Sequence, residues 1–462
     1  MKNNYSVSLC VLRVSVVKIP IFALLKILHL LNRKILRLAI PNIVTNITIP
    51  LLAMVDLGLM GHLGSVKYVG AVALGGMIFS FIFWAFGFLR MGTSGFTAQA
   101  YGQRNFAEAG NILIRSMVFA ISGGLFLILM QWPLSWAAFS LVNGSIEVET
   151  MAKEYFNIRI YAAPATLFIY AIIGWFIGMQ NARLPMILAI SVNLLNVLLS
   201  LLFIKVLGMG SNGVAWANVI SQYGGLLLGM FLLSFYWPKL RKYVNFAEAI
   251  NRKAFTRFFH VNKDIFIRTL CLIFTLSFFT TQSANTSDTI LAVNTLLFQF
   301  FYFFSYFVDG FAYAAEALAG RYIGSGDQAM LTKVIRRLFV WGGAIALSFT
   351  LIFLVGGGFI LQLLTNDPVT ITAAQPYMFW VVLVPVITFG AFIWDGIYVG
   401  ATASKAMRNS MVVITTLIFL PAYYLLEPIL GNNGLWFAMM LFMGARGLFL
   451  SLMAKRSVFV RV

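Results

Sequence analysis

The chain is 462 residues long, with 61% hydrophobic residues, only 10% charged residues and a mean hydropathy of +0.90. Soluble proteins carry about 25% charged residues, so a water-soluble globular fold is excluded and lipid is the solvent for most of the chain. The formal net charge of +19 invites a nucleic-acid partner, but the placement of the basic residues argues against one.

Apolar runs of about 20 residues, the length a helix needs to cross a bilayer, recur along the chain. Backbone groups in hydrocarbon must be satisfied internally and the alternation of barrel strands is absent, so these runs are predicted to be helices. The fold class expected is an all-α integral membrane protein of twelve transmembrane helices. They are predicted at 35–60, 68–101, 109–142, 154–181, 185–208, 212–237, 258–285, 287–321, 329–365, 373–401, 407–430 and 433–455. Residues 1–34 are apolar but interrupted by Arg13, Lys18 and Lys26, with no convincing cleavage site. They are expected to form a cytoplasmic amphipathic extension, or to reflect a start assigned too far upstream.

An ionisable side chain in mid-span costs about 2.5–3.5 kcal/mol on insertion scales. Of fourteen acidic residues, four fall well inside predicted spans: Asp56, Asp309, Glu316 and Asp395. In span 1, Asn42, Asn46, Ile49, Ala53 and Asp56 recur at spacings of three and four and share a helix face. Pro41 and Pro50 each remove a backbone donor and favour bends. A carboxylate joined by amides on a pliable helix makes a proton or cation site. The competing expectation is an exposed outer cap beside the loop Gly61-His62-Leu63-Gly64. Span 5 carries a second polar face, Asn193, Asn196 and Ser200, which Asn218 of span 6 could join. Amides between membrane helices more often hold helices together than bind ligands.

The basic stretch after span 6 is predicted to be a cytoplasmic linker, 238–262, dividing an N-terminal half (35–237) from a C-terminal half (263–462) with a short cytoplasmic tail. The halves carry traces of a repeat. Gly92 and Gly102 match Gly310 and Gly320 at an offset of 218, and Pro164…Gly178 matches Pro385…Gly400 at 221 to 222. Both copies run the same way through the membrane, the parallel repeat from which transporters build alternating access. A duplication serving stability alone is the other explanation. In the second half, Arg268 lies at a depth similar to Asp309 and Glu316, so a pairing among them is expected, with Asp395 as a further partner. Such a charge network would latch an inner gate or serve structure alone.

Lys and Arg cluster on one side: Arg33, Lys34 and Arg37, the 238–263 stretch, Lys333, Arg336, Arg337, Lys405 and Arg408. The opposite loops hold Lys67, Lys153 and Lys205. That asymmetry places both termini in the cytoplasm, and the basic excess attracts anionic lipid headgroups rather than nucleic acid. Cys10 and Cys271, and His29, His62 and His260, are scattered, giving no disulfide framework or metal spacing. No metal site or cofactor is expected, and no clustered Asp or His motif suggests a membrane-embedded transferase; an enzyme is not expected.

The segments VDLGLMGHLG after Pro41, GWFIGMQNARLPM at 174–186, NLLNVLLSLLF at 193–203 and VDGFAYAAEALAG at 308–320 resemble the multidrug and toxic compound extrusion (MATE) family, in particular its DinF-like branch. The resemblance spans nearly the whole chain. It implies two pseudo-symmetric six-helix lobes around a central cavity, in a multi-pass protein of the bacterial inner membrane. It also implies extrusion of a small-molecule substrate, drug-like or toxic and often cationic or amphiphilic, coupled to entry of H⁺ or Na⁺. A monomer surrounded by membrane lipid is the expected functional unit. The family's span-1 aspartate, a coupling-ion site, falls on Asp56, and its polar companions fall on Asn196 and Asn218. The family usually has a second aspartate four residues after the span-5 asparagine, and here that position is Ser200. One carboxylate implies a single proton and weakened Na⁺ affinity. Members with a cation site in the second lobe use an acid in span 7 with one in span 10. Here span 7 offers Arg268 while Asp395 is present, so that site is incomplete. The alternative within the same superfamily is a flippase for lipid-linked oligosaccharides or lipids. A cavity rich in arginine would favour it, and few intramembrane arginines, Arg90, Arg159 and Arg268, stand out.

Overall fold

The computed structural model describes residues 21–61, 66–140 and 145–461. Twelve helices are long and apolar enough to cross a membrane. They are α1 (His29–Asp56, inside a continuous helix Ile21–Gly61), α2 (Lys67–Gly102), α3 (Phe106–Leu129), α4 (Ile146–Gly178), α5 (Arg183–Val206), α6 (Gly210–Ser234), α7 (Arg252–Thr286), α8 (Asp288–Gly324), α9 (Gln328–Leu364), α10 (Pro368–Gly400), α11 (Ser404–Leu430) and α12 (Asn432–Ser457). The expected fold is thus the observed one.

Four boundaries differ by more than five residues from those expected, one of them the start of the fourth span, at Ile146 rather than 154. The third span ends at Leu129, because Gln131–Ser140 forms a separate helix opened by Gln131 and Pro133. The predicted linker contains two one-turn helices, Trp237–Leu240 and Phe246–Ala249. Its last residues are already the first turns of α7, which starts at Arg252 after the Asn251 side chain caps the Lys253 N–H. The predicted extension 1–34 lies outside the described residues up to 20. From Ile21 it is continuous with α1, and Leu31 and Ile35 are fully buried in the core of the second half. Pro41 and Pro50 do not interrupt the helix.

The core residues fall into one large cluster drawn mostly from α7–α12 and two smaller ones drawn mostly from α2–α6. Helix α1 belongs to both sides. Leu31, Ile35, Leu38 and Ala39 pack in the large cluster, whereas Asn193 of α5 donates to Thr48 (2.9 Å) and Ser200 of α5 faces Asp56. The helix therefore crosses from one half to the other, which is why the predicted polar face is split. Asn42, Asn46 and Asp56 are buried, while Ile49 is 58% exposed and Ala53 is exposed too.

The repeat is visible in backbone geometry, at a register the letters alone miss. A Cβ at Gly102 would collide with the Arg321 carbonyl, and a Cβ at Gly324 would collide with the Gln99 carbonyl. These contacts are mates at an offset of 222 (102 to 324, 99 to 321). The same offset relates Gly174, tight against Arg90, to Gly396, tight against Ala312. It also relates two pairs of left-handed residues after helix ends: Arg104 (φ 56°) with Gly326 (φ 69°), and Gln180 (φ 63°) with Thr402 (φ 51°). The glycine-by-glycine match of Gly102 to Gly320 is therefore shifted by four residues. In the structure Gly320 takes the place related to Ala98 and packs on it.

The halves meet backbone to backbone at the end of the molecule carrying residues 95–104 and 317–327. Around that seam Gln99 Nε2 donates to the Gly400 carbonyl (2.8 Å), and Gln180 Nε2 donates to the Ala317 carbonyl (2.8 Å). Because side chains cannot fit there, Gly324→Val is expected to prop the seam apart. A cysteine placed alongside it (Gln99→Cys) would then react with a water-soluble maleimide at least several-fold faster, above the background of Cys10 and Cys271. Equal labelling rates would show that the close approach is dispensable.

Candidate functional site

Asp56 lies near the end of α1, 9% exposed, where the helix leans on α5. The Ser200 hydroxyl, fully buried one face away on α5, donates to its Oδ1 at 3.5 Å. One turn earlier on α5, Asn196 is 1% exposed. Its Nδ2 donates to the Ser221 hydroxyl of α6 (3.4 Å), while its Oδ1 has no partner among the described residues. Ser221 in turn donates to the Asn218 carbonyl (2.9 Å), and the Asn218 amide donates to the Val214 carbonyl (3.1 Å). Asp56 and Ser200 are thus in direct contact, Asn196 and Asn218 are linked through Ser221, and an unused amide oxygen lies in the same buried belt. The loop beside which Asp56 could have been an exposed cap, 62–65, lies outside the described residues. Asp56 itself is buried.

Along α1, the Asn42 amide donates to the Leu38 carbonyl (2.8 Å) and the Thr45 hydroxyl to the Pro41 carbonyl (3.0 Å). The Asn46 amide reaches across to the Tyr306 carbonyl of α8 (3.1 Å). Pro50 has no N–H for the carbonyl of Asn46 one turn back, so a backbone bond is missing where the stretch held by α8 gives way to the stretch held by α5.

The charges of the second half pair only in part as expected: the further partner named for Arg268, Asp395, is the one it meets. Arg268 of α7 does not meet Asp309 or Glu316; it pairs with Asp395 of α10, and Arg446 of α12 grips the same carboxylate. Glu316 pairs instead across the halves with Arg90 of α2, at 3.3 Å, with the guanidinium 4.1 Å from the Tyr313 ring centroid. Asp309 makes none of these short pairs, although Arg90, Arg268 and Arg446 all bear on it. Depth along a helix is readable from sequence, but the direction a side chain faces around the bundle is not, and the pairing turned on that direction. Sequence reasoning missed Arg446 and Arg115, both 2% exposed. The signal available was a lone arginine in the last apolar run with an unmatched Asp395 two helices earlier. Buried arginines are therefore more numerous than counted, and four of them are matched: Arg115 contacts Glu108 at 3.3 Å, beside the pairs just described.

Arg159, whose charge bears on Asp56, ends the first helical segment of α4, before a 3-10 turn at Ile160–Ala162. Its Nη1 donates to the Tyr155 hydroxyl (2.7 Å), and its guanidinium lies 5.0 Å from the Phe79 ring centroid.

Breaking a buried pair by deleting one partner costs about 3–5 kcal/mol. Asp395→Ala would strand two guanidinium groups at once, whereas Arg268→Met leaves Asp395 with Arg446. Thermal unfolding in detergent is expected to show the larger loss of Tm for Asp395→Ala. The reverse ranking would mean that the carboxylate does not organise this cluster.

The MatE family model matches residues 41–202 and 266–425. The DNA damage-inducible protein F of Escherichia coli (strain K12) is 36% identical over 429 residues, 92% of each chain. Human multidrug and toxin extrusion protein 1 is 32% identical over 211 residues, 44% of this chain and 35% of that one. Among solved structures, a MATE protein in a bent conformation superposes with a TM-score of 0.82 at 19% identity, covering 94% of this chain and 98% of that one. A MOP superfamily transporter of Pyrococcus furiosus, described as having a binding pocket of reverse polarity, gives a TM-score of 0.82 at 17% identity over the same shares.

Proposed function

The chain belongs to the multidrug and toxic compound extrusion (MatE) family, and from that premise we propose that it is a secondary active efflux transporter. It exports drug-like or toxic compounds, cationic or amphiphilic, by antiport with protons. It works as a monomer in the bacterial inner membrane, with both termini in the cytoplasm, the side to which the basic loops belong. Human multidrug and toxin extrusion protein 1 bears the same kind of activity in its name.

The observation that carries the proposal is the burial of a single carboxylate, Asp56, between α1 and α5 with one hydroxyl contact. An ionised carboxylate there attracts a cationic substrate, and a proton arriving from outside cancels that attraction. Each ligand moves the protein only by its differential affinity for the two states. Because α1 is shared between the halves, a change at Asp56 is delivered to the stretch of α1 packed on α8, through the weakened backbone around Pro50. Sodium is disfavoured because a hard cation takes several oxygen ligands, and the second carboxylate that would help supply them is replaced by Ser200. In the second half the place for a cation beside Asp395 is taken by Arg268 and Arg446.

The flippase alternative draws support from the extra buried arginines. Against it, Arg90 and Arg115 each pair with a carboxylate, and Arg268 and Arg446 share Asp395 with Asp309 also under their influence, so they offer little free charge to a lipid-linked phosphate. In proteoliposomes, efflux of a cationic dye is expected to follow an imposed pH gradient and to ignore a sodium gradient. Asp56→Asn is expected to fold and insert but to lose at least about a hundredfold of that efflux, as removal of an obligatory proton carrier would. Sodium-driven efflux, or normal efflux by Asp56→Asn, would overturn the proposal.

A further inference from the structure

Among the described residues, one ion pair joins the two halves. Arg90 of α2 meets Glu316 of α8, 9% and 2% exposed. The pairs of Lys67, Arg115 and Lys153 stay within the first half, and those of Asp264 and Asp395 stay within the second. The bridging pair lies beside the seam, since Gly320, one turn on from Glu316, packs on Ala98. The glycines and carbonyls of the seam obey the offset of 222, but the charges do not. At that offset Glu316 is the mate of Ser94, Tyr313 of Met91, and Ala312 of Arg90. The pair is therefore an addition to a contact that backbone already makes.

On the α8 side the carboxylate belongs to a stripe. Tyr306, Asp309, Tyr313 and Glu316 recur at spacings of three and four and share a helix face, ring alternating with acid. The first three are half-buried. Arg90 displays what the end of this stripe holds. Its guanidinium lies 4.1 Å from the Tyr313 ring centroid, while Nη1 donates to Glu316 Oε2 at 3.3 Å. That is a single contact, not the two-pronged fork of a strong arginine–carboxylate pair. A flat, delocalised cation over an aromatic face, with a carboxylate at its edge, is how proteins hold organic cations.

We propose that Tyr313 and Glu316, with Asp309 one turn before them, form a binding site for flat organic cations of the amidinium, guanidinium or aromatic type. Arg90 fills this site while the halves are closed at this end and vacates it when they part. The inference rests on the efflux reading, and it gives the substrate a second anionic station besides Asp56.

Because Arg90 and Glu316 ride on opposite halves, any motion that opens the seam separates them. Arg90 leaves with α2, and α8 is left with a ring and an unanswered carboxylate. A bare carboxylate in such surroundings is costly, and a substrate cation entering from this end answers it. Closure returns Arg90, and two cations cannot share the place. A ligand that binds only the parted state favours that state by its differential affinity, so the substrate itself promotes the opening that admits it. The ring sets the preference. A compact, strongly hydrated cation gains little from Tyr313, whereas a delocalised cation is weakly hydrated and stacks.

The test is calorimetric titration of benzamidinium, a flat amidinium, into the purified full chain in detergent at pH 8. Asp56→Asn serves as the background, so that Asp56 contributes no charge. Arg90→Gln removes the internal occupant, and Kd is expected to fall about tenfold, the size of one charge interaction in a partly buried site. Adding Glu316→Gln to Arg90→Gln is expected to erase that gain. If the pair only clasped the halves, the clasp would already be open without Arg90 and the second substitution would change nothing; a retained gain overturns the inference. Tyr313→Leu keeps every charge and is expected to raise Kd about fivefold through loss of the cation–ring contact. If Arg90→Gln fails to fold, Tyr313→Leu still decides, because an unchanged Kd there overturns the inference. So does an unchanged Kd in Arg90→Gln, or absence of binding in every folded variant. The two failures are separable. Normal efflux by Asp56→Asn sinks the antiport scheme, whereas an inactive Asp56→Asn beside a Kd unmoved by Arg90→Gln sinks only the α8 site.

Discussion

Hydrocarbon does not solvate ions, so each charge inside this protein must find its complement in the protein. Most do so in pairs. Asp395 is held by two guanidinium groups and Glu316 by one. Two in-span acids depart from that pattern: Asp309 makes no short pair, though three arginines bear on it, and Asp56 has a hydroxyl at 3.5 Å as its contact within hydrogen-bonding reach. A carboxylate left incompletely answered is available to exchange partners. Asp56 differs from the in-span acids of the second half in its surroundings: in this conformation Glu316 and Asp395 are already committed to arginines, and Asp309 lies within the influence of three of them.

The path of α1 turns local exchange into motion. One stretch of the helix contributes to the core of the second half, through Leu31, Ile35, Leu38 and Ala39. The other is tied to α5 through Thr48 and Asp56. A helix shared between two bodies has to bend or slide when they move, and the backbone bond that Pro50 cannot make to Asn46 is missing where its two attachments meet. The prolines leave the helix continuous in this conformation. Their effect is to lower the cost of a bend.

Composition and hydrophobic run length made the twelve spans legible, because bilayer thickness imposes both. The third span was overextended because Trp132, Leu134 and Trp136 keep the run apolar while the helix breaks beside Pro133. The polar residues around Asp56 could be named from helical spacing and from family resemblance. Which of the three acids Arg268 would meet, and that Glu316 would meet Arg90, could not, since two helices at one depth can face any of several neighbours. The repeat shows the same limit. Matching glycines by letter aligned Gly102 with Gly320, whereas the glycine that the close approach requires is Gly324. That requirement comes from a carbonyl on the opposite half, which no single sequence displays.

The seam between α2 and α8 is closed by backbone against backbone, with Gly102 and Gly324 seated on opposing carbonyls. A barrier made of side chains can flicker open when one rotamer flips, on the timescale of nanoseconds. This one has no such leaf to swing, and it yields only when whole helices part. A small ion therefore finds no transient gap here unless the two halves themselves move apart. While the molecule idles, the membrane keeps its voltage.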